Sequence, residues 1–208
     1  MKTSRYRAIE FLAIYILIPI SFALNYSIWI KLSIGLIGFV YIILVLLKVE
    51  NQKFKLAKQL QWKLFWKETF LKLAIIVLLT TFFVWKTDAQ TLFSVVFNKP
   101  KLWVFILFIY TFFSVYPQEL VYRTFYFHRY NSFFTNKILF IFLNAILFSL
   151  AHLFFRNVLV LILTFLGGLL FAITYKKTKS TILVSIEHAI YGCWLFTVGM
   201  GEMLGFPT

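Results

Sequence analysis

Long apolar runs separated by short basic stretches dominate the hydrophobic pattern of this chain. A bilayer-spanning α-helix needs about 20 consecutive apolar residues. Runs near that length lie at about 8–26, 28–48, 69–86, 102–130, 137–155, 157–175 and 180–200. The pattern therefore predicts an all-α, polytopic integral membrane protein with about seven transmembrane helices.

One stretch between these runs, 50–68, has a different character. It is rich in lysine and carries Leu, Trp and Phe at helical spacing. Such a segment is typical of a helix that lies in the membrane interface with its apolar face buried. We predict an interfacial position for it, and a plain solvated loop is the alternative.

Composition supports the membrane assignment. Hydrophobic residues make up 62% of the 208 residues, and only seven are acidic. A soluble domain of this size could not bury so much apolar surface. The formal net charge of +14 comes from basic residues that punctuate the hydrophobic runs, which indicates juxtamembrane anchoring. We therefore expect the lipid bilayer as the partner of these charges and no nucleic acid.

The basic residues also predict an orientation. If the N-terminus is cytoplasmic, most of the 21 Lys and Arg residues fall at or near cytoplasmic ends of the spans. The exceptions are Lys31, Lys86, Lys99, Lys101 and Arg156. Because cytoplasmic loops carry an excess of Lys and Arg, we predict a cytoplasmic N-terminus.

A few ionisable residues lie inside the apolar runs: Glu119 with Arg123, His152 and His188. Placing such a group in the bilayer centre costs about 3 kcal/mol or more, so each is a functional candidate. At about 1.5 Å per residue, Glu119, His152 and His188 lie roughly 14 to 22 Å from the cytoplasmic ends of their spans. We expect the three side chains to share one layer of the membrane.

Local spacing suggests how these groups interact. Glu119 and Arg123 are at i and i+4, so they can pair on one helix face, or they form an ion pair that only fixes helix packing. His152 follows Asn144 and Phe148 on a single stripe. Taken alone, this histidine is as readily a hydrogen-bonded packing residue as a functional one.

The last span adds two adjacent polar residues, Glu187 and His188, which lie about 100° apart on a helix and cannot point the same way. No serine or cysteine stands out as a nucleophile. We therefore expect water activation by a carboxylate, with imidazoles binding an oxyanion or a metal. Peptide-bond hydrolysis and proton relay both fit this set of groups.

Three motifs in order resemble those of the CPBP family, the CAAX-protease and bacteriocin-processing (Abi) group of intramembrane endopeptidases. The family motifs are Glu-Glu-x-x-x-Arg, Phe-x-x-x-His and His-x-x-x-Asn. Their counterparts here are Gln118-Glu119-Leu120-Val121-Tyr122-Arg123, Phe148-Ser149-Leu150-Ala151-His152 and His188-Ala189-Ile190-Tyr191-Gly192. The resemblance covers about residues 100–200. It implies a protease core at 101–208 that follows N-terminal transmembrane helices at 1–100.

The resemblance also implies roles for the ionisable residues. In such enzymes a glutamate activates water, and histidines with an asparagine stabilise the oxyanion. For this chain we predict Glu119 as the general base, His152 and His188 as ligands of the oxyanion or of water, and Arg123 as the charge partner that fixes Glu119. A glutamate mechanism requires no cofactor. A zinc-dependent mechanism is the alternative, and Glu119, His152 and His188 satisfy the ligand preferences of zinc.

Two positions depart from the family pattern. The leading glutamate is replaced by Gln118, whose amide cannot act as a general base, and the terminal asparagine is replaced by Gly192. We expect Glu119 to take over as base, with Gln118 as a hydrogen-bonding neighbour. The secondary candidates are Tyr122 as a hydrogen-bonding group, Glu187 as a base and Asn144 as the replacement for the lost amide.

The sequence thus predicts an intramembrane endopeptidase that cleaves a membrane-associated peptide or protein. A leader or bacteriocin-type peptide in a bacterial plasma or inner membrane is the expected setting. The alternative is a catalytically silent CPBP-like protein that binds and regulates another membrane protein. A proton-coupled carrier would use the same residues, but the few spans and the lack of an internal repeat disfavour it.

Overall fold

A computed structural model describes residues 4–51 and 61–205 of the chain. The structure is 86% helical, and no strand occurs in the part of the chain it describes. The predicted all-α class is therefore confirmed. Of the predicted interfacial segment at 50–68, residues 52–60 lie outside the described residues, and a helix begins at Trp62.

The helical elements follow one another with short connections. The α-helices are Ser4–Leu12, Ile18–Phe22, Ile28–Lys48, Trp62–Thr87, Ser94–Asn98, Pro100–Ile109, Tyr116–Glu119, Tyr126–Arg129, Lys137–Leu150, Val158–Thr178 and Thr181–Val198. π-Helical segments occupy Ala13–Leu17, Tyr110–Val115 and Leu120–Phe125. Short 3-10 helices occupy Ala89–Thr91, Asn131–Phe133, Leu153–Phe155 and Glu202–Leu204.

Six helices in the described ranges are long and apolar enough to cross a membrane. They are Ile28–Lys48, Trp62–Thr91, Pro100–Arg129, Lys137–Phe155, Val158–Thr178 and Thr181–Val198. The predicted span at 8–26 corresponds to the helical stretch 4–22, which carries Arg5, Arg7 and Glu10 and is not among the six. The chain is a multi-pass membrane protein; the count of seven spans and the cytoplasmic N-terminus stay predictions.

Large apolar side chains project outward from these helices. Trp29 is 74% exposed, Leu78 is 72% exposed and Phe113 is 69% exposed. Exposure of such side chains to water would be unfavourable, and lipid tails are their natural environment.

Local signals explain where several helices begin and end. Pro100 occupies the first turn of its helix, where its missing N–H costs nothing. The side chains of Asn136, Asn157 and Ser180 accept hydrogen bonds from the first backbone N–H groups of the three following helices. Gly199 ends the last of these with a φ of 110°.

The chain divides into two compact units, each made of two separate stretches. The first comprises Met1–Lys55 and Leu120–Ile173, and the second comprises Leu56–Glu119 and Thr174–Thr208. The predicted division of the chain into 1–100 and 101–208 stays a prediction.

A buried ion cluster joins distant parts of the first unit. Arg129 donates from Nε to Glu10 at 2.8 Å and from Nη1 to Glu50 at 2.7 Å. The hydroxyls of Tyr41 and Tyr130 also donate to Glu10. Burial and the Glu10 carboxylate raise the pKa of Tyr130, which lies just outside the membrane-spanning segment. The cluster holds the start of the chain against the end of the fourth apolar run.

Close packing completes the first unit. The rings of Tyr126 and Phe140 stack with centroids 4.4 Å apart. A Cβ added at Gly168 would lie 3.0 Å from the Cα of Ala145, so the two helix backbones approach each other there. Such contacts require small residues.

In the second unit, polar side chains fix the Thr181–Val198 helix. Trp194 donates from Nε1 to Thr80 at 2.8 Å, and Trp103 donates from Nε1 to Thr197 at 3.0 Å. These bonds tie the helix to two others and set the direction in which its functional side chains point.

Candidate active site

Glu119 lies in a helix whose regular winding is interrupted on both sides. π-Helical segments, Tyr110–Val115 and Leu120–Phe125, flank the α-helical turn Tyr116–Glu119. A π segment uses i→i+5 hydrogen bonds, so it rotates the residues after it relative to a continuous α-helix. Such segments are frequent at functional sites. The direction of Glu119 is therefore set by the preceding π segment, Tyr110–Val115, as well as by its sequence position.

In the second unit, Glu119 meets His188. The Oε1 atom of Glu119 lies 2.8 Å from Nδ1 of His188. The Glu119 side chain is fully buried and the His188 side chain is 7% exposed. When Nδ1–H donates to the carboxylate, the neutral ring carries its lone pair on Nε2. The contact is therefore a carboxylate–imidazole pair able to accept and return a proton.

Gln118, beside Glu119, turns its side chain back along its own helix. Its Nε2 donates to the Ser114 hydroxyl at 2.7 Å. Its Oε1 is buried and accepts no hydrogen bond from any residue in the described ranges 4–51 and 61–205. The Gln118 side chain is therefore held by Ser114 and keeps one amide oxygen in the protein interior.

Tyr110 is a neighbour of this pair that the sequence did not single out. Its ring packs edge-on to the His188 ring, with centroids 6.0 Å apart, and its hydroxyl lies against Gly192. Nothing in its local sequence marks it, because its relation to His188 arises only through tertiary packing.

Glu187 points to a different set of partners from His188. Its Oε1 accepts from Lys72 Nζ at 2.5 Å and from the Tyr191 hydroxyl at 2.9 Å. Lys72 Nζ also donates to the hydroxyl of Thr174 at 3.3 Å. Lys72 was predicted only as a basic residue near a cytoplasmic end, although its position inside the apolar run 69–86 was a signal for a buried partner.

His152 belongs to the first unit. It follows the Lys137–Leu150 helix, and its Nδ1 lies 2.8 Å from the carbonyl oxygen of Phe148. Its ring packs against Phe148 and Phe155, with centroid distances of 4.9 and 6.0 Å. Because a carbonyl oxygen only accepts, Nδ1 is the donor, and Nε2 carries the lone pair in the neutral ring.

Arg123 is fully buried in the same unit. Its guanidinium carbon lies 4.6 Å from the ring centroid of Phe148 and 5.7 Å from that of Phe171. These cation–π contacts stabilise a buried positive charge. The role of Arg123 as the charge partner of Glu119 stays a prediction.

The secondary candidates of the first unit contact each other. Asn144 donates from Nδ2 to the backbone carbonyl of Tyr122 at 2.6 Å. Asn144 is fully buried and Tyr122 is 7% exposed. The proposed use of Asn144 as an oxyanion donor and of Tyr122 as a hydrogen-bonding group stays a prediction.

The structure thus brings Glu119 and His188 into direct contact within one unit. His152 and Arg123 lie in the other unit, and their catalytic roles stay predictions. The described ranges contain no group of three or more His, Cys, Asp or Glu side chains that could hold a metal ion. The zinc ligand set of Glu119, His152 and His188 also stays a prediction.

The family to which part of the chain is similar is a protease family. Residues 100–194 match the family model described as type II CAAX prenyl endopeptidase Rce1-like. No curated protein and no solved structure matches the chain. The match confirms the predicted resemblance to the CPBP proteases, and the matched range contains all three motifs.

Proposed function

Because residues 100–194 are Rce1-like, we propose that the protein is an intramembrane endopeptidase. In this proposal it hydrolyses a peptide bond of a membrane-associated peptide or protein with water activated by Glu119. The observation that carries the proposal is the 2.8 Å contact between the Glu119 carboxylate and Nδ1 of His188.

Glu119 takes a proton from water as the water oxygen attacks the peptide carbonyl carbon. The π-electron pair of the carbonyl moves to its oxygen and forms a tetrahedral oxyanion. Collapse of this intermediate restores the carbonyl and breaks the C–N bond. Protonated Glu119 then gives its proton to the leaving nitrogen, so the products are a carboxylic acid and an amine.

His188 acts first on Glu119. Its Nδ1–H bond fixes one carboxylate oxygen and so orients the carboxylate that acts as the base. A buried position favours this arrangement, because electrostatic interactions are stronger where water is excluded. His188 is therefore a positioning residue for the base.

Two further residues complete the proposal. His152 supplies Nε2 as a ligand of water or, when protonated, as a donor to the oxyanion, since its Nδ1 is held by the Phe148 carbonyl. Gln118 accepts a hydrogen bond from a substrate amide through its buried Oε1.

The experiment is a comparison of peptides released in membranes. Membranes are prepared from cells that make the wild type, Glu119→Gln or no protein, and the released fragments are identified by mass spectrometry. We expect fragments that appear only with the wild type. If the Glu119→Gln membranes release the same fragments at the same rate, Glu119 is not the base.

The expected substrates are peptides held at the membrane, with bacterial leader or bacteriocin-type peptides as the first candidates in a bacterial plasma membrane. The family model is named for prenylated CAAX substrates. Two quenched fluorescent peptides separate these classes: one ends in a farnesylated cysteine followed by three residues, and its matched control lacks the farnesyl group. Cleavage of only the farnesylated peptide would assign the protein to prenylated substrates.

A second candidate function follows from Gln118, whose amide is engaged with Ser114 and cannot act as a base. In this alternative, the chain keeps the protease scaffold and binds another membrane protein without cleaving it. The Gln118→Glu variant discriminates between the two. Gain of cleavage by an otherwise inactive protein would support the silent alternative, whereas cleavage by the wild type would exclude it.

A further inference from the structure

Gly192 has no side chain, and the hydroxyl end of the Tyr110 side chain fills the space beside it. A Cβ atom added at Gly192 would overlap the Tyr110 hydroxyl and its ring carbons Cε1 and Cζ. Any other residue at this position would therefore displace the phenol. Gly192 and Tyr110 are complementary in shape, and both belong to the second unit.

Packing holds the Tyr110 ring on two sides. Its ring lies edge-on to His188, with an interplanar angle of 83°, and edge-on to Phe196, with centroids 4.8 Å apart. A tyrosine has only two side-chain torsions, so these contacts fix the position of its hydroxyl. The hydroxyl consequently lies against Gly192, one helical turn beyond His188, while the Tyr110 ring packs against the imidazole that contacts Glu119.

The place of Tyr110 in its helix adds to this arrangement. Tyr110 is the first residue of the Tyr110–Val115 π segment. Its ring and the Glu119 carboxylate both contact His188, although nine positions separate them in the chain. One helix thus presents a carboxylate and a phenol to the same imidazole.

We propose that the Tyr110 hydroxyl donates a hydrogen bond to the oxyanion of the tetrahedral intermediate. This inference rests on the proposed peptidase function. A phenol O–H is a good donor, and no bond is made or broken at the tyrosine. Tyr110 thereby supplies the donor that is missing at Gly192, where the CPBP motif has asparagine. Its hydroxyl can occupy that place only because Gly192 leaves it open.

The test uses Tyr110→Phe, which removes the hydroxyl and keeps the ring. Loss of one oxyanion donor lowers kcat by about 10²–10³-fold in other hydrolases. We expect a fall of this size in the rate at which Glu119-dependent fragments are released, with little change in KM. Tyr116→Phe is the matched control: Tyr116 lies in the same helix and is 38% exposed. We expect the control to cleave at the wild-type rate.

Three outcomes separate this inference from the proposed function. Slow release by Tyr110→Phe, with normal release by Tyr116→Phe, supports the inference. Normal release by Tyr110→Phe, with loss in Glu119→Gln, overturns it and leaves the peptidase function standing. If the wild type releases no Glu119-dependent fragments, the peptidase function and the inference fall together.

If Tyr110→Phe melts at a lower temperature than the wild type, a second pair of variants tests the donor role. Tyr110→Ala removes the phenol, and Tyr110→Ala/Gly192→Asn places an amide donor in the space that becomes free. More cleavage by the double variant than by Tyr110→Ala supports a donor role at this position. Equal cleavage by the two overturns it.

Discussion

Lys72 is the cation that compensates the buried carboxylate of Glu187, and removing it tests whether Glu187 is structural or catalytic. The Lys72 side chain is 23% exposed, whereas that of Glu187 is fully buried. In Lys72→Met the carboxylate loses its 2.5 Å ion pair and stays in the protein interior. In Glu187→Gln the lysine loses its carboxylate partner, but its side chain stays partly exposed and its Nζ still donates to the Thr174 hydroxyl.

This asymmetry gives the expected magnitudes. Removing one partner of a buried ion pair costs about 3–5 kcal/mol, and Lys72→Met should cost near the lower end because the Lys72 side chain is partly exposed. Glu187→Gln should cost about 1 kcal/mol, the size of one hydrogen bond, since the amide still accepts from Tyr191. The double variant Lys72→Met/Glu187→Gln should recover most of the loss, because no uncompensated charge remains.

Thermal melting of the purified protein in detergent measures these differences. A loss of about 3 kcal/mol corresponds to roughly 6–12 °C for a protein of this length. We expect the order wild type, Glu187→Gln, then Lys72→Met, with the double variant above Lys72→Met. Fragment release should persist in Glu187→Gln. A strong loss of release by Glu187→Gln without a lower melting temperature would refute this account and make Glu187 the base.

Other parts of the fold give further predictions. Gly168→Ala should lower the melting temperature, because overpacking costs about 1–3 kcal/mol. Gly38→Ala is the control and should leave the melting temperature unchanged, since nothing lies within 4 Å of its added Cβ. Equal effects of the two variants would contradict close packing at Gly168. Arg129→Met should cost about 3–5 kcal/mol because it leaves Glu10 buried and uncompensated, and an unchanged melting temperature would contradict the cluster. The raised pKa of Tyr130 means that its stabilising contribution is present below about pH 10, its unfolded value, and is lost at higher pH. Melting curves in alkaline buffers should therefore differ between wild type and Tyr130→Phe.

The apolar runs predicted the helices well because each run is long enough to demand a helix in lipid. The runs at 28–48 and 137–155 match their helices closely. The run at 69–86 predicted too short a helix, because the structure begins it at Trp62, within the lysine-rich stretch. The first turns of this helix are rich in lysine, so a search for apolar runs does not detect them.

The candidate site was predictable to a lesser degree. Depth in the membrane singled out Glu119 and His188, and the structure brings them into contact. The π segments around Glu119 leave no simple mark in the sequence, so the direction of side chains in that helix could not be read from a 100° rotation per residue. Tyr110 was missed because its contact with His188 arises only through tertiary packing.

Glu119 and His188 act together in the proposed mechanism, and a double-mutant comparison of fragment release shows whether they do. The variants are Glu119→Gln, His188→Gln and the combination, each checked by thermal melting. We expect each single variant to lower the rate of fragment release by about 10²–10⁴-fold. We expect the combination to be little worse than the more damaging single variant, because the effects of residues that act together are not additive. Release at the wild-type rate by either single variant, with the fold intact, would show that the pair does not carry the reaction.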